Sequence, residues 1–231
     1  MAKRNKLGKF ADLLSYRNVL ENFDHGDDVL TWSDQTQINP KGTWSKTVFK
    51  NENPITLELA CGKGEYAVGM AQMYPDRNFI GVDIKGARIW KGATKAKEEH
   101  IDNVAFLRTR IEMLHRFFAA GEIDEIWITF ADPFLKTRKA NRRLTSRPFL
   151  DVYRNLLRDS GTVNLKTDSY ILYYHTIDQI IKHQDLALIY KNNHIYKSGL
   201  AFPELEIKTF YEESHLRDGR KIKFVRFSFQ S

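Results

Sequence analysis

The 231-residue sequence has a single cysteine and no long apolar run. The lone Cys61 excludes an internal disulfide and suits a reducing, cytoplasmic environment. No apolar stretch approaches the roughly 18–20 residues that a membrane-spanning helix needs, and the N-terminal MAKRNKLGKF lacks the apolar segment of a secretory signal. The histidines show no ligand spacing, so we expect no metal site. The sequence therefore predicts a cytoplasmic globular protein.

Acidic residues are too few to balance the basic ones. The chain has 36 lysines and arginines against 29 acidic residues, a formal net charge of +7 and a pI near 9.3. The excess forms two acid-free groups: a basic arm with Lys3, Arg4, Lys6 and Lys9, and a basic cluster with Lys136, Arg138, Lys139, Arg142, Arg143 and Arg147. Such groups attract polyanions because each neutralised phosphate releases counterions. A merely solvated surface is the alternative explanation.

Hydrophobic periodicity becomes regular only from Ile55 onward. Short apolar runs alternate with stretches of helical spacing. The predicted strands are 55–60, 78–84, 103–109, 124–130, 161–167, 186–196 and 221–229, and the predicted helices are 64–74, 87–100, 111–119, 146–158 and 169–183. We expect Ser146 to cap the fourth helix and Asp168 or Ser169 to cap the fifth. The alternation predicts an α/β fold with a mainly parallel seven-stranded sheet flanked by helices, and the two closing strands predict an antiparallel edge pair.

The first 53 residues differ from the rest. They are polar, have weak periodicity and end in the turn-rich stretch Asn51-Glu52-Asn53-Pro54. We therefore predict a basic N-terminal extension over residues 1–53 and one domain over residues 54–231.

A glycine turn follows the first predicted strand, where parallel sheets bind ligands. Gly62-x-Gly64-x-x-Ala67 fits a dinucleotide fingerprint. Asp83 ends the next strand about twenty residues later, where a carboxylate can accept hydrogen bonds from ribose hydroxyls. An ordinary βα turn, with Asp83 capping the next helix, explains the same residues. Nicotinamide-dependent oxidoreductases and methyltransferases both remain candidates.

Glu58 favours a methyltransferase. It lies within the first strand, and a buried carboxylate costs several kcal/mol unless it is paired. The ammonium and sulfonium groups of S-adenosylmethionine could pair with it. A pyrophosphate would instead prefer a bare helix N-terminus, and Glu65 stands at the start of the following helix. Lys63 or another internal cation is the alternative partner for Glu58.

Two more acidic side chains follow predicted strands. Phe130-Ala131-Asp132-Pro133-Phe134 comes after the fourth strand, immediately before the basic cluster, and Asp168 comes after the fifth. An acid and an aromatic ring can hold a base while cations hold its phosphates. Asp168 could also be a simple helix cap.

Together these segments resemble the bacterial tRNA (guanine-N7)-methyltransferase family from roughly Pro54 to the C-terminus. The family's Glu-x-Gly-x-Gly-x-Gly matches residues 58–64 with Ala60 in place of the first glycine, and its Phe-x-Asp-Pro-Trp-Pro-Lys-x-Arg matches FADPFLKTR with Phe134 and Leu135 replacing Trp and Pro. The family's acid after strand two, its Lys-Thr-Asp and its late Thr-x-Tyr/Phe-Glu correspond to Asp83, residues 166–168 and residues 209–212. After strand three, where the family often has an acid or amide, this chain has Thr109 and Arg110.

The resemblance implies a class I, Rossmann-like methyltransferase that transfers a methyl group from S-adenosyl-L-methionine to N7 of guanosine 46 in the tRNA variable loop. Asp132 would be the catalytic residue. The implied cofactor-binding residues are Glu58, Gly62, Gly64, Asp83, Thr109, Arg110 and Asp132, with the backbone of Arg110 and Ile111 reaching the adenine. The implied substrate-binding residues are Lys136, Arg138, Asp168, Thr209 and Glu212. The expected partner is tRNA, without a membrane or a metal, and the chain would be a monomer or homodimer.

The chemistry of N7 fits this residue set. Guanine N7 already has an in-plane lone pair, so its attack requires no general base. A nearby carboxylate interacts better with the cationic product than with neutral guanine, and Asp132, or secondarily Asp168, is expected in that position. The alternatives are an NAD(P)-dependent oxidoreductase, a methyltransferase for a protein, small molecule or another RNA, and a catalytically silent RNA-binding module.

Overall fold

The computed structural model describes residues 5–22 and 26–230, and for Asp34 only the backbone. Lys3 and Arg4 of the basic arm lie outside the described residues. The chain divides after Ala119 into two compact units, the N-terminal unit and the C-terminal unit.

The described residues form ten strands and seven α-helices. In the N-terminal unit these are α1 (Lys6–Leu14), β1 (Val19–Glu21), β2 (Leu30–Thr31), β3 (Gln37–Ile38), β4 (Ile55–Leu59), α2 (Glu65–Met73), β5 (Asn78–Asp83), α3 (Gly86–Glu98), β6 (Val104–Arg108) and α4 (Leu114–Phe117). In the C-terminal unit they are β7 (Ile123–Thr129), α5 (Arg147–Leu156), β8 (Leu157–Thr167), α6 (Tyr170–Lys182), β9 (Leu186–Asn192), α7 (Phe210–Arg217) and β10 (Lys223–Phe229). Seven strands follow residue 53, as predicted, and the other three precede it.

Four strands of the N-terminal unit run parallel. The strand order is β3-β2-β1-β6-β5-β4, in which β1, β6, β5 and β4 are parallel and the β1–β2 and β2–β3 pairs are antiparallel. Every residue of β4 and β5 is buried, including the polar Thr56, Glu58, Asn78 and Asp83. The register pairs Glu58 with Gly81 and Asp83 with Arg108. The carboxyl ends of these strands therefore meet at one edge.

The segment before residue 54 is packed into this unit. Its strand β1 pairs in parallel with β6. Trp44 is fully buried, donates from Nε1 to Phe117 O at 2.7 Å and stacks on Phe118 with ring centroids 4.9 Å apart. On α3, Trp90 Nε1 donates to Asp12 of α1 at 2.9 Å. The boundary after residue 53 stays a prediction.

The C-terminal unit contains the predicted antiparallel edge pair. Its strand order is β7-β8-β10-β9, with β7 and β8 parallel and β10 antiparallel to both β8 and β9. This arrangement confirms the strand directions that the sequence predicted. β9 is shorter than predicted, because the chain turns after Asn192.

Helix caps in the C-terminal unit differ in detail from those predicted. Ser146 is the N-cap residue of α5, as predicted, but its hydroxyl donates to Asn141 O at 2.8 Å and makes no side-chain capping hydrogen bond. Ser169, rather than Asp168, caps α6, since its Oγ accepts from Leu172 N at 3.2 Å. Asp168 is engaged by other side chains instead.

Candidate functional site

Glu58 lies inside the N-terminal unit with its carboxylate directed at a helix start. The residue is 1% exposed, and its Oε2 accepts a hydrogen bond of 2.8 Å from the backbone N–H of Ala67 in the first turn of α2. Helix N-termini stabilise negative charge. The buried carboxylate thus already occupies the helix terminus where a pyrophosphate would bind in a dinucleotide site.

Asp83 connects the end of β5 to the glycine turn. Its Oδ2 accepts from Gly62 N at 2.9 Å and its Oδ1 accepts from Lys85 N at 2.8 Å, before α3. Asp83 therefore contacts the glycine turn and the residue before α3, but it does not cap that helix, whose N-cap residue Lys85 makes no side-chain capping hydrogen bond. A carboxylate has about four lone-pair sites, so these two contacts leave capacity for ligand hydroxyls.

The glycine turn adopts left-handed backbone conformations. Ala60, Gly62 and Gly64 have φ angles of 57°, 56° and 68°. Glycine reaches this region without steric cost. The positive φ angle at Ala60 therefore explains why the motif Glu-x-Gly-x-Gly-x-Gly has glycine at this position. A Cβ on Gly64 would lie 2.7 Å from Cζ of Phe106, so no side chain fits between this turn and β6.

We expect Gly64→Ala to lower the free energy of unfolding by about 2–4 kcal/mol. A left-handed alanine costs about 1–2 kcal/mol, and displacing the Phe106 ring accounts for the remainder. Gly62→Ala is the matched control, because φ is similar but the nearest atom to its Cβ, Ala60 O, is 4.0 Å away. Urea unfolding measures both variants. Equal losses would contradict the proposed close packing of Gly64.

In the turn after β6, the Thr109 side chain contacts another part of the protein. Thr109 is buried, and its hydroxyl lies 3.3 Å from Oδ1 of Asn22, the residue after β1. The Asn22 N–H donates to Arg108 O at 2.9 Å. Arg110 is exposed. Asn22 was not predicted, since nothing in the sequence indicated that residues before position 54 reach this edge.

The loop after β7 is held in an unusual conformation. Phe130 and Phe134 have φ angles of 49° and 42°, a region that costs bulky residues roughly 1–3 kcal/mol and is common at functional sites. Asp132 is exposed, and its Oδ1 accepts from Phe134 N at 2.9 Å. The buried Arg143 donates to Pro133 O at 3.0 Å and to Phe134 O at 3.1 Å. The loop therefore orients the Asp132 carboxylate.

The basic cluster divides into exposed and engaged members. Arg143 holds the loop, and Arg147 pairs with Asp151 at 2.7 Å and with Asp185 at 2.9 Å. The exposed members are Lys136, Arg138, Lys139 and Arg142. These four, rather than all six, have the exposure that a phosphate-binding surface requires.

Asp168 follows β8 and is surrounded by basic groups. Its Oδ2 lies 2.8 Å from Nη1 of Arg220, and its Oδ1 lies 3.4 Å from Nδ1 of His215. Its backbone carbonyl accepts from Lys223 Nζ at 2.9 Å. Burial lowers the pKa of Lys223, although the Asp168 carboxylate acts in the opposite direction. None of these three basic partners was predicted from the sequence.

Glu212 belongs to a buried polar group. Its Oε2 lies 2.8 Å from Lys166 Nζ, with both side chains fully buried, and its Oε1 accepts from Tyr196 at 2.7 Å. Lys166 also donates to the carbonyls of Leu205 and Ile207, at 3.0 and 2.9 Å. Burial lowers the pKa of Lys166 despite the opposing Glu212 carboxylate. Burial, together with Glu212, raises the pKa of Tyr196.

These contacts bring several predicted residues together within each unit. In the N-terminal unit, Glu58 and Asp83 contact either end of the glycine turn and helix start. In the C-terminal unit, Phe130 N donates to Lys166 O at 2.9 Å, so the loops carrying Asp132 and Asp168 begin side by side. Thr209 caps α7 by accepting from Glu212 N at 3.1 Å.

Residues 5–22 and 26–230 contain neither a membrane-spanning helix nor a metal-binding group of side chains. In these ranges no helix has the length and apolar character needed to cross a bilayer. The same ranges contain no group of three or more His, Cys, Asp or Glu side chains placed to hold a metal ion. The absence of a metal in the functional protein stays a prediction.

Known proteins are similar to this chain in sequence and fold. A family model described as "Putative methyltransferase" matches residues 52–225. The solved structure of the 16S rRNA methyltransferase KamB has a TM-score of 0.60 at 12% identity, covering 82% of this chain and 94% of that one. At this identity the likeness concerns the fold alone, and it agrees with the predicted α/β, Rossmann-like architecture.

Two curated relatives match nearly the whole chain. A tRNA (guanine-N(7)-)-methyltransferase of Bacteroides fragilis (strain YCH46) is 47% identical over 224 residues, which cover 97% of this chain and 85% of the relative. One from Christiangramia forsetii (strain DSM 17595 / CGMCC 1.15422 / KT0803) is 43% identical and covers 98% and 99%. Since similarity at this level extends through both units, the chain belongs to the tRNA (guanine-N(7)-)-methyltransferase family.

Proposed function

We propose that this chain transfers a methyl group from S-adenosyl-L-methionine to N7 of guanosine 46 in the variable loop of tRNA, giving 7-methylguanosine. The observation that carries the proposal is the near full-length similarity to tRNA (guanine-N(7)-)-methyltransferases. A cytoplasmic location follows from the substrate. Monomer and homodimer are both compatible with this activity.

The N-terminal unit supplies residues that suit S-adenosyl-L-methionine. Glu58 and Asp83 are buried acids on either side of a close-packed glycine turn, and the cofactor carries an ammonium, a sulfonium and ribose hydroxyls. We assign Glu58 to the methionine part and Asp83 to the ribose. The backbone at Gly62 and Gly64 would approach the cofactor closely.

The remaining cofactor contacts follow from the turn after β6. The Thr109 hydroxyl is directed at Asn22, and the Arg110 side chain is exposed. We therefore assign the adenine contact to the backbone of Arg110 and Ile111. An NAD(P)-dependent oxidoreductase is disfavoured, because the Glu58 carboxylate occupies the N-terminus of α2.

Asp132 is assigned the central role at the reacting base. When bound, the cofactor supplies an electrophilic methyl group. Guanine N7 has its own lone pair, so the chain needs to orient the base and stabilise the positive charge that develops on it. The exposed carboxylate of Asp132 is suited to this, because Phe134 N holds its Oδ1 in place.

The other substrate residues differ in how they would act. Lys136 and Arg138 are exposed beside Asp132 and are assigned to tRNA phosphates. Asp168 is assigned to guanosine positioning, with its carboxylate held by Arg220 and His215. Thr209 and Glu212 are assigned to substrate binding through the position of α7, because Glu212 is fully buried against Lys166.

We expect tRNA binding to weaken steeply with salt. Each neutralised phosphate contributes about −0.7 to −0.9 to the slope of log affinity against log salt concentration. Replacing both Lys136 and Arg138 with alanine should make that slope shallower by about 1–2. Lys191→Ala, an exposed lysine on the edge strand β9, is the control and should leave it unchanged. A flat salt dependence of the native chain would refute the electrostatic contact.

The reaction itself is tested by incubating the chain with labelled S-adenosyl-L-methionine and bulk unmodified tRNA, then identifying the labelled nucleoside. Labelled 7-methylguanosine supports the proposal. If the cofactor binds but tRNA stays unlabelled, the substrate is a protein, a small molecule or another RNA. A chain that binds tRNA without binding cofactor would be a silent RNA-binding module.

A further inference from the structure

Two exposed tyrosines lie against each other in the first turns of α6. Tyr170 is 65% exposed and Tyr174 is 44% exposed, and their ring centroids are 4.3 Å apart. Tyr173 on the same helix is only 4% exposed and contacts the Tyr174 ring edge-on at 5.1 Å. Tyr173 therefore anchors the helix to the unit, whereas the Tyr170 ring contributes little to the fold and presents much of its surface to solvent.

The tyrosine pair lies next to a residue of the proposed substrate site. Asp168 ends the turn after β8, Ser169 caps α6, and Tyr170 is the first residue of that helix. The carboxylate of Asp168 binds the half-exposed Arg220, whose neighbour Lys221 is also exposed. Asp168 thus has an exposed aromatic ring two residues along the chain and an exposed arginine on its carboxylate, and aromatic rings combined with cations bind unpaired nucleotides.

A role in folding does not account for this arrangement. An exposed aromatic side chain at a helix start buries little surface, and polar residues would serve the N-terminal turn as well. Arg220 on the Asp168 carboxylate and its neighbour Lys221 also disfavour a second copy of this chain as the occupant, because like charges would meet across a two-fold interface. An anionic ligand with a flat apolar face would match both the exposed tyrosine rings and the positive charge of Arg220 and Lys221.

We propose that Tyr170, supported by Tyr174, stacks against an unpaired base of the tRNA that flanks the methylated guanosine. The choice of tRNA as the ligand rests on the proposed function. Target bases in folded RNA are reached by unstacking them from their neighbours. An aromatic platform beside the site would replace the stacking that a flanking base loses, and it would do so without reading sequence.

The test compares Tyr170→Ala with Tyr170→Trp, which keeps an aromatic face, and with Ile181→Ala. Ile181 is a matched control because it is 78% exposed on the same helix, in its last turn. We expect Tyr170→Ala to raise the Kd and KM for unmodified tRNA on the order of tenfold. Its kcat, its affinity for S-adenosyl-L-methionine and its urea unfolding should stay as in the native chain. Tyr170→Trp and Ile181→Ala should bind tRNA normally.

Salt dependence gives a second readout. The Tyr170→Ala chain should show the same slope of log affinity against log salt concentration as the native chain, since the ring neutralises no phosphate. Normal tRNA affinity in Tyr170→Ala would overturn the proposal, as would a changed sedimentation coefficient of the free chain, which would assign the pair to self-association. A native chain that binds tRNA but makes no 7-methylguanosine would refute the proposed function, while the tRNA affinities would still decide on stacking.

Discussion

Asp132→Ala is expected to lower kcat for tRNA methylation by about 10²–10³-fold while leaving the affinity for S-adenosyl-L-methionine nearly unchanged. The reason is electrostatic: methyl transfer moves positive charge onto the guanine, and the Asp132 carboxylate interacts more strongly with that charge than with the neutral base. Single-turnover kinetics with saturating cofactor measure the chemical step. Equilibrium binding measures the cofactor affinity separately.

Asp132→Asn separates charge from loop shape. The side-chain oxygen of the introduced asparagine can still accept from Phe134 N, as Oδ1 of Asp132 does at 2.9 Å, so the loop conformation should persist. We expect this variant to lose nearly as much turnover as the alanine variant. If it methylates tRNA at the native rate, the negative charge is not what Asp132 contributes. A large loss of cofactor affinity at normal turnover would also contradict the assignment.

Glu212→Ala is expected to lower the free energy of unfolding by about 3–5 kcal/mol, because it leaves the charged partner of a fully buried ion pair without its counterion. That partner, Lys166, lies 2.8 Å from Glu212 in a region where neither side chain is exposed. Urea unfolding is the measurement. The loss should appear whether or not tRNA or cofactor is present, since no ligand takes part in the contact.

Tyr196→Phe is the control for this buried group. It removes only the hydroxyl that donates to Glu212 at 2.7 Å, so its cost should be near 1 kcal/mol. A Glu212→Ala loss as small as that of Tyr196→Phe would show that the ion pair does not hold α7 in place. Glu212 would then be better explained as a direct substrate ligand.

The elements after residue 54 could be predicted because their patterns are strong. The buried strands β4 and β5 are rich in aliphatic and aromatic residues, and a glycine turn separates β4 from α2. The strands before residue 54 were missed because they are short: β2 and β3 have two residues each. Their stability comes from pairing with distant strands, such as β1 with β6, and local sequence does not record it.

The helix α7 was missed although a signal for it was present. Thr209 and Glu212 have the spacing of a capping box, in which the hydroxyl and the carboxylate each bind a backbone N–H of the first turn. The structure contains half of that motif: Thr209 accepts from Glu212 N, whereas the Glu212 carboxylate binds Lys166 and Tyr196 instead. Tertiary contacts therefore redirected a side chain that local rules assign to the helix end.

In the candidate site, too, some features could be predicted from the sequence and others could not. The positions of Glu58, Asp83 and Asp132 at the ends of strands follow from the alternation of strands and helices, and they could be predicted. The sequence could not show that Arg143 is buried under the Asp132 loop while its neighbour Arg142 is exposed. Both are arginines in one acid-free run, and only the path of the backbone distinguishes them.

Methylation of guanosine 46 is tested with two unmodified transcripts of one tRNA, one with guanosine at position 46 and the other with adenosine there. Each is incubated with the chain and labelled S-adenosyl-L-methionine, digested, and analysed for labelled nucleosides. We predict 7-methylguanosine from the first transcript and no label in the second. Label in another nucleoside, equal label in both transcripts, or no label in either would contradict methylation of N7 at guanosine 46.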